Sequence, residues 1–379
     1  MRKTNFAIFC MGSSGGSTEV AVNLALSLRG RGHDCDVFAY DGSQQERLLE
    51  YKIRVHTPRS LDYPIFDHIQ TDFGFLPVFD KLHKRRPYDL IHIHYAVPLI
   101  HVMANLREIY GLPCVVTFHG SDVTIVPDLF DVSILSRLLE KSGATVTVAS
   151  KFLANRVTRV YGASPDNVRI IPNTVAPEYL REYPRCEEGP PYFLHCSNLR
   201  PVKRAGDIIL AMCCMRKRVE FSGLNQMPRL KIAGEGPDLP ELRVLVQKCR
   251  LEEHVEFCGR VDDKTELARI MANARALILS SLTESQPLVV LEAMAVGTPV
   301  VCSSFTSAPE LIGENQERGW MFEIGDSHQL TDILVRLLEK PEDTPAVVAR
   351  AREFVLRHHH PDLITDAYLN YYEGILGKG

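Results

Sequence analysis

The sequence predicts an α/β protein of two doubly wound domains placed end to end. Three observations carry that expectation. Short apolar runs alternate with amphipathic stretches along the whole chain, a single Pro- and charge-rich segment interrupts them near the middle, and a turn rich in glycine or cations follows the first strand of each half. A length of 379 residues, with 45% hydrophobic and 24% charged residues, suits two globular domains.

In the first half the apolar runs place strands at Phe6–Cys10, Cys35–Tyr40, Leu90–His94, Cys114–Phe118, Thr145–Ala149 and Val168–Ile171. Between the first two, Val20, Leu24 and Leu28 recur at helical spacing beside Ala21 and Ala25, and the pattern stops at Gly30 and Gly32. The segment Val175–Pro191 loses all periodicity and reads as the linker. Strands resume at 192–197, 230–234, 255–259, 276–281 and 299–304. The expected domains are residues 1–180 and 188–361, with a terminal helix over 362–379 packing back on the first. Such folds bind ligands at the carboxyl ends of their strands, so a cleft between the domains is the expected site.

Charge and composition narrow the partner. The formal net charge is -4 and no extended basic block is present, so the positive footprint of nucleic-acid binding is missing and a small-molecule partner is expected. No run reaches the roughly 18 apolar residues of a membrane helix. The first apolar run meets Gly12 at once and reads as a strand rather than a signal segment. Lys84-Arg85-Arg86 is a compact basic run of three, and peripheral membrane attachment is not expected from it. The ten cysteines are scattered without a C-x-x-C pair, as in a reduced cytoplasmic protein.

Four motifs carry chemistry. Gly12-Ser13-Ser14-Gly15-Gly16-Ser17 joins the first strand to the first helix, where backbone amides and the helix dipole favour an anion. Its spacing is not G-x-G-x-x-G, so Asp41 after the second strand does not make a dinucleotide site. Thr117-Phe118-His119-Gly120-Ser121-Asp122 ends one strand and His94-Tyr95 ends another, which gathers titratable groups at carboxyl strand ends. Ser197 to Arg204 sets Arg200, Lys203 and Arg204 at a strand-to-helix turn, where three cations need either solvent or a bound diphosphate. Glu284 precedes, and Glu292 lies within, an apolar helix opened by Pro287, so Glu292 needs a polar partner such as a hydroxyl pair. Asp34-Cys35-Asp36 and the run His358-His359-His360 read as structural, the latter as a helix end, and not as metal ligands.

These motifs resemble those of the retaining GT-B glycosyltransferases of family four, whose signature is two glutamates separated by seven residues, as Glu284 and Glu292 are here. The segments Ile171-Pro172-Asn173, Gly234-Glu235-Gly236-Pro237 and Phe257-Cys258-Gly259-Arg260-Val261 are similar to further family blocks, and the likeness spans essentially the whole chain. It implies two Rossmann-like domains, with His119, Glu284 and Lys203 as catalytic residues. It also implies donor contacts from Asn198, Arg200, Lys203, Arg260, Glu284, Gln286, Leu288 and Glu292, with Glu284 near the sugar 3-hydroxyl and Glu292 on the ribose. Asn198 stands where the family usually has Arg, and Gln286-Pro287 replaces a usual Phe-Gly.

Within the family, IHIHYAVP, TFHGSDVT, HCSNLRPVKR and GGS are similar to enzymes that move N-acetylglucosamine from UDP-N-acetylglucosamine to L-malate. The implied reaction is transfer to a hydroxyl of such a small anionic acceptor, with retention, without a cofactor and without a metal. Gly15, Gly16 and Ser17, with Tyr95, are the candidates for holding that acceptor. Two alternatives stand beside this: a family member using another UDP-sugar and a polysaccharide, lipid or natural-product acceptor, and a non-catalytic nucleotide-sugar-binding protein. The sequence is silent on oligomeric state, and a homo-oligomer is compatible with it.

Overall fold

The computed structural model describes residues 2–377 apart from 13–14, 59, 64–65, 71, 130, 185–189 and 223–226. The chain divides into two compact units, Met1–Thr174 with Pro361–Gly379, and Val175–His360. The break after Thr174 falls where the aperiodic segment starts.

The first unit is built on seven strands: β1 (Asn5–Cys10), β2 (Asp34–Ala39), β3 (Arg54–His56), β4 (Leu90–His94), β5 (Cys114–Phe118), β6 (Thr145–Val148) and β7 (Val168–Ile170). They lie in the order β3-β2-β1-β4-β5-β6-β7, every pairing parallel. The central strands are covered on both faces, which is why they read as continuous apolar runs rather than alternating ones. Along β1 the period of two sends Ala7 and Phe9 into one layer and Phe6 and Ile8 into the other. Phe9 stacks on Phe38 with ring centroids 4.4 Å apart. Both are fully buried, so truncating either to Ala costs about 3–5 kcal/mol.

The layer around Phe6 and Ile8 is closed by two helices. Helix α1 (Gly16–Gly30) follows β1 with Val20, Leu24 and Leu28 buried, as its spacing predicts. The second is the terminal helix Pro361–Leu376, which sets Tyr368 and Tyr372 among Phe6, Ile8 and Val37. The strand β3 and the hairpin of Ser60–Tyr63 with Phe66–Gln70 were not anticipated. Three to five residues are too few to show a periodicity.

The second unit holds β8 (Tyr192–Cys196), β9 (Arg229–Ala233), β10 (Val255–Gly259), β11 (Ala276–Leu279), β12 (Val300–Ser303) and β13 (Trp320–Phe322). The order β10-β9-β8-β11-β12-β13 is again wholly parallel. Here the unanticipated strand is β13, three residues at the sheet edge. The helix Leu288–Val296 buries Val290, Leu291, Ala293 and Met294, so it is apolar almost all round and sits inside the core. Both units are doubly wound α/β domains, as the sequence predicts, and in each the innermost strands end beside the motifs singled out above.

Candidate active site

In the second unit the site starts from the loop that leaves β8. Ser197 and Leu199 donate backbone hydrogen bonds to Ala233 and Glu235 at 3.1 and 2.8 Å, which lays this loop along the Gly234-Glu235-Gly236 turn. Both glycines have positive φ, and a Cβ on either would collide with the Ser197 or Leu199 carbonyl. That close approach is the physical reason for the Gly-x-Gly block. Beneath the loop, buried His195 is bonded through Nδ1 to the Ile278 carbonyl at 2.9 Å and through Nε2 to Ser197 Oγ at 2.8 Å. Because a carbonyl only accepts, Nδ1 carries the proton and Nε2 accepts from the serine. Burial pushes its pKa down to about 4, so the ring is neutral.

The chain then tightens into the turn Pro201–Lys203, with Arg204 left-handed at φ 49. Lys203 Nζ donates to Glu284 Oε1 at 2.5 Å, and Ser281 Oγ donates to the same oxygen at 2.7 Å. Ser307 Oγ holds the Glu284 carbonyl at 2.8 Å, and Ser280 Oγ holds the Lys203 carbonyl at 2.9 Å. The two motifs, far apart in sequence, are thus strapped together by backbone and side chain. Lys203 and Glu284 keep 16% and 13% of their side chains exposed, enough for a ligand to reach them.

The expectation that three cations here need solvent or an anion is corrected in part. Arg204 forks onto Asp207 at 2.7 and 3.1 Å and Lys203 takes Glu284, because the following helix and the β11 loop bring carboxylates to them. Arg200 and Asn198 remain exposed on the loop. Pro287 caps the helix that begins at Leu288, Gln286 is buried beside it, and Glu292 is half-buried one turn further on. Arg260 lies exposed just beyond β10, at the sheet edge, and pairs with Asp262 at 2.5 Å.

In the first unit the strand ends bring histidines together. His94 Nδ1 and His119 Nε2 are 3.1 Å apart. His92, two residues earlier on β4, bonds Tyr372 Oη and Thr117 Oγ1, both at 2.7 Å. Burial pushes His92 and His119 down to about 3 and His94 well below its ordinary value, so all three are neutral near pH 7. Each can then donate through one nitrogen only. Asp122 accepts from the backbone N–H of Gly120 at 2.8 Å, of His119 at 3.1 Å and of Ala96 at 3.3 Å, which ties the two strand ends to each other. Burial raises its pKa to about 6 against those hydrogen bonds.

The acceptor candidates follow the neighbouring strands β1 and β4. Gly15 caps helix α1 without a side-chain hydrogen bond, Gly16 is exposed and Ser17 half-buried. Ser13 and Ser14 of that motif lie outside the described residues. Tyr95, at φ 81, bonds Ser121 through its hydroxyl at 2.6 Å. Asp41 accepts from Ser43 N at 2.9 Å and lies against Gly12, so it closes a turn.

No group of three or more His, Cys, Asp or Glu that could hold a metal occurs among the described residues. Asp34 pairs with Lys3 and Arg29, while Asp36 pairs with His56 and Arg86. His358 ends the helix Thr344–His358. Sequence reasoning missed His195, Ser281 and Ser307, polar residues in or just after apolar strands whose partners lie up to 83 positions away. The polar run Ser280-Ser281 closing an apolar strand was the available signal.

Comparison with known proteins completes the picture. The profile of Glycosyltransferase Family 4 matches residues 14–179 and that of Glycosyl transferases group 1 matches residues 179–354. N-acetyl-alpha-D-glucosaminyl L-malate synthase of Bacillus anthracis is 26% identical over 99% of this chain and 98% of its own. A GDP-mannose-dependent alpha-(1-6)-phosphatidylinositol monomannoside mannosyltransferase of Mycobacterium tuberculosis is also 26% identical, over 60% of this chain and 61% of its own. Among solved structures, a glycosyltransferase from Rickettsia africae superposes with TM-score 0.81 at 17% identity, covering 100% of both chains. Anabaena HepE in complex with UDP and glucose superposes with TM-score 0.78 at 19% identity, over 98% of this chain and 100% of its own. No helix among the described residues is long and apolar enough to cross a membrane. The chain belongs to the GT-B glycosyltransferases, with a family 4 domain in its amino-terminal half and a group 1 domain in its carboxyl-terminal half.

Proposed function

We propose that this glycosyltransferase moves N-acetylglucosamine from UDP-N-acetylglucosamine to a hydroxyl of a small anionic acceptor such as L-malate, with retention and without a metal. The observation that carries the reading is the Lys203–Glu284 pair at 2.5 Å, set at the carboxyl ends of β8 and β11 in a chain that matches a malate synthase along its full length. Lys203 supplies a positive charge for the departing diphosphate, and Arg200 on the same loop adds a second. Pre-placed charge of this kind, aimed where negative charge develops, usually lowers the barrier of a group transfer more than any other single effect. Glu284, held by Ser281 and Ser307, keeps one carboxylate oxygen engaged and offers the other to a sugar hydroxyl. Glu292 is the acid for the ribose, and Gln286 and Leu288 line the sugar.

On the first unit, the uncapped amino end of helix α1 at Gly15, Gly16 and Ser17 offers backbone N–H groups to an acceptor carboxylate. His119, neutral and fixed by His94, contributes a hydrogen bond to the transferred sugar rather than a charge. A cytoplasmic location fits the unpaired thiols.

Thermal shift with UDP, UDP-glucose and UDP-N-acetylglucosamine, followed by turnover of the best donor with L-malate, tests the reading. A ligand at a hundred times its Kd stabilises by about 2.7 kcal/mol. Stabilisation by UDP-N-acetylglucosamine and UDP release that depends on malate are the expected results. Stabilisation by UDP-glucose alone overturns the donor assignment, and donor binding without malate turnover overturns the acceptor.

A further inference from the structure

The strand ends that carry the transfer residues lie on one side of the first sheet; the opposite side, where the strands begin, holds a second concentration of charge. Asp36 of β2, Arg54 at the start of β3, Arg85 and Arg86 at the end of the helix Phe75–Arg85, and Lys52 and Tyr88 line a cavity of about 290 Å³. Four cations against one carboxylate leave this lining strongly positive, in a chain whose net charge is -4.

The single carboxylate is already engaged. Asp36 Oδ1 bonds His56 at 3.0 Å, and Oδ2 accepts from Tyr88 Oη at 2.9 Å and from Arg86 at 2.8 Å. Arg86 also reaches Asp34 at 3.6 Å. Lys84, the remaining member of the basic run, turns away to Asp80. Lys52, Arg54 and Arg85 therefore face the cavity with no ion pair among the described residues. Lys52 is held there in a left-handed backbone conformation at φ 59, unusual for a side chain, by a turn in which its N–H bonds the Leu49 carbonyl at 2.9 Å.

Three unneutralised cations converging on one concavity repel each other and are relieved together by one multivalent anion. Guanidinium groups bind tetrahedral oxyanions through paired N–H donors, and an ammonium adds a point charge. The volume lies at or below the lower end of drug-sized pockets, about 300–1,000 Å³, and so suits a single phosphate group rather than a nucleotide sugar. We propose that this cavity is a binding site for a phosphate-class oxyanion, held by Lys52, Arg54 and Arg85 and separate from the transfer site. The ligand is either free phosphate or the phosphate of an anionic lipid headgroup.

Isothermal titration of the full chain with inorganic phosphate and with inorganic pyrophosphate, on wild type and on R54Q/R85Q, reads this cavity by difference. Lys203 and Arg200 are the same in both proteins, so binding at the donor site cancels. The double variant is expected to lose a site or to weaken it by at least about tenfold, with glycosyl transfer unchanged. Cosedimentation with phosphatidylcholine vesicles, with and without about one third phosphatidylglycerol, separates the sources. Capture by the anionic vesicles that the variant loses assigns a lipid headgroup, and phosphate binding without capture assigns a soluble anion. Equal binding of phosphate, pyrophosphate and vesicles by the two proteins overturns the proposal. Both arginines are exposed, and R85Q and K52Q singly keep the test available if the double variant does not fold.

Discussion

The two units end their central strands in opposite kinds of chemistry. In the first, His92, His94 and His119 are stripped of charge by burial; His94 is hydrogen-bonded to His119, and His92 to Thr117 and Tyr372. In the second, Lys203 and Glu284 form an ion pair that stays partly open to solvent. A neutral network owes its geometry to which nitrogen holds each proton, and it is rigid without any ligand. An ion pair at the position proposed for a ligand is a placeholder whose cation a stronger anion can claim. The same α/β framework thus supplies a pre-set hydrogen-bonding surface in one unit and an exchangeable charge in the other.

Breaking the charged end has the largest expected effect. Lys203→Ala removes the cation proposed for the leaving group and is expected to lower kcat by about 10²–10³-fold in a UDP-release assay; the melting temperature falls as well, because the mostly buried Glu284 is left without its cation. A rise in KM with kcat unchanged would place Lys203 in ground-state binding instead.

Acid tests the buried neutral histidines of both units. His92 and His195 are fully buried with pKa values lowered to about 3 and about 4, so the unfolded chain binds more protons than the folded one below the ordinary histidine pKa of 6.5. Stability is therefore complete above that pH and is lost as pH falls through it, by about 2 kcal/mol for each histidine between pH 7 and pH 5. Asp122, raised to about 6, opposes this, because the folded state holds its proton first and gains about 1 kcal/mol over the same interval. Urea midpoints at the two pH values should show a net loss, which His92→Gln reduces.

Smaller changes sharpen the contrast. Tyr372→Phe leaves His92 Nδ1 without its partner at 2.7 Å and should cost about 1–3 kcal/mol, read by chemical denaturation. His94→Gln should lower turnover more than stability, because His119 then loses the contact that fixes its ring; a parallel fall in both would mark His94 as packing alone. At the small end, Lys141→Ala breaks an exposed pair with Glu108 at 2.8 Å and should leave the urea midpoint almost unchanged, with no difference at all in high salt.

The sequence made the fold legible because its buried strands are long apolar runs and its helices keep a regular spacing; β3 and β13, at three residues each, fall below what spacing reveals. The glutamates and Lys203 were legible as motifs. Their contact was not, since 81 positions separate Lys203 from Glu284 and only the shared carboxyl ends of β8 and β11 bring them together. The same holds for the His94–His119 contact and for the Asp122 carboxylate that binds three backbone amides from two strands. Side-chain networks between strands depend on register, which a single chain's pattern leaves unspecified.

The terminal helix Pro361–Leu376 gives the molecule an order of assembly. Tyr368 and Tyr372 complete the layer around Phe6 and satisfy His92, yet they follow the whole of the second unit in the chain. During synthesis at about 5–20 residues per second, the first sheet waits on the ribosome with that face uncovered while residues 175–360 emerge and can fold around their own core. A nascent chain halted before residue 361 therefore carries a complete second unit joined to an unfinished first one, with an apolar face open to a chaperone.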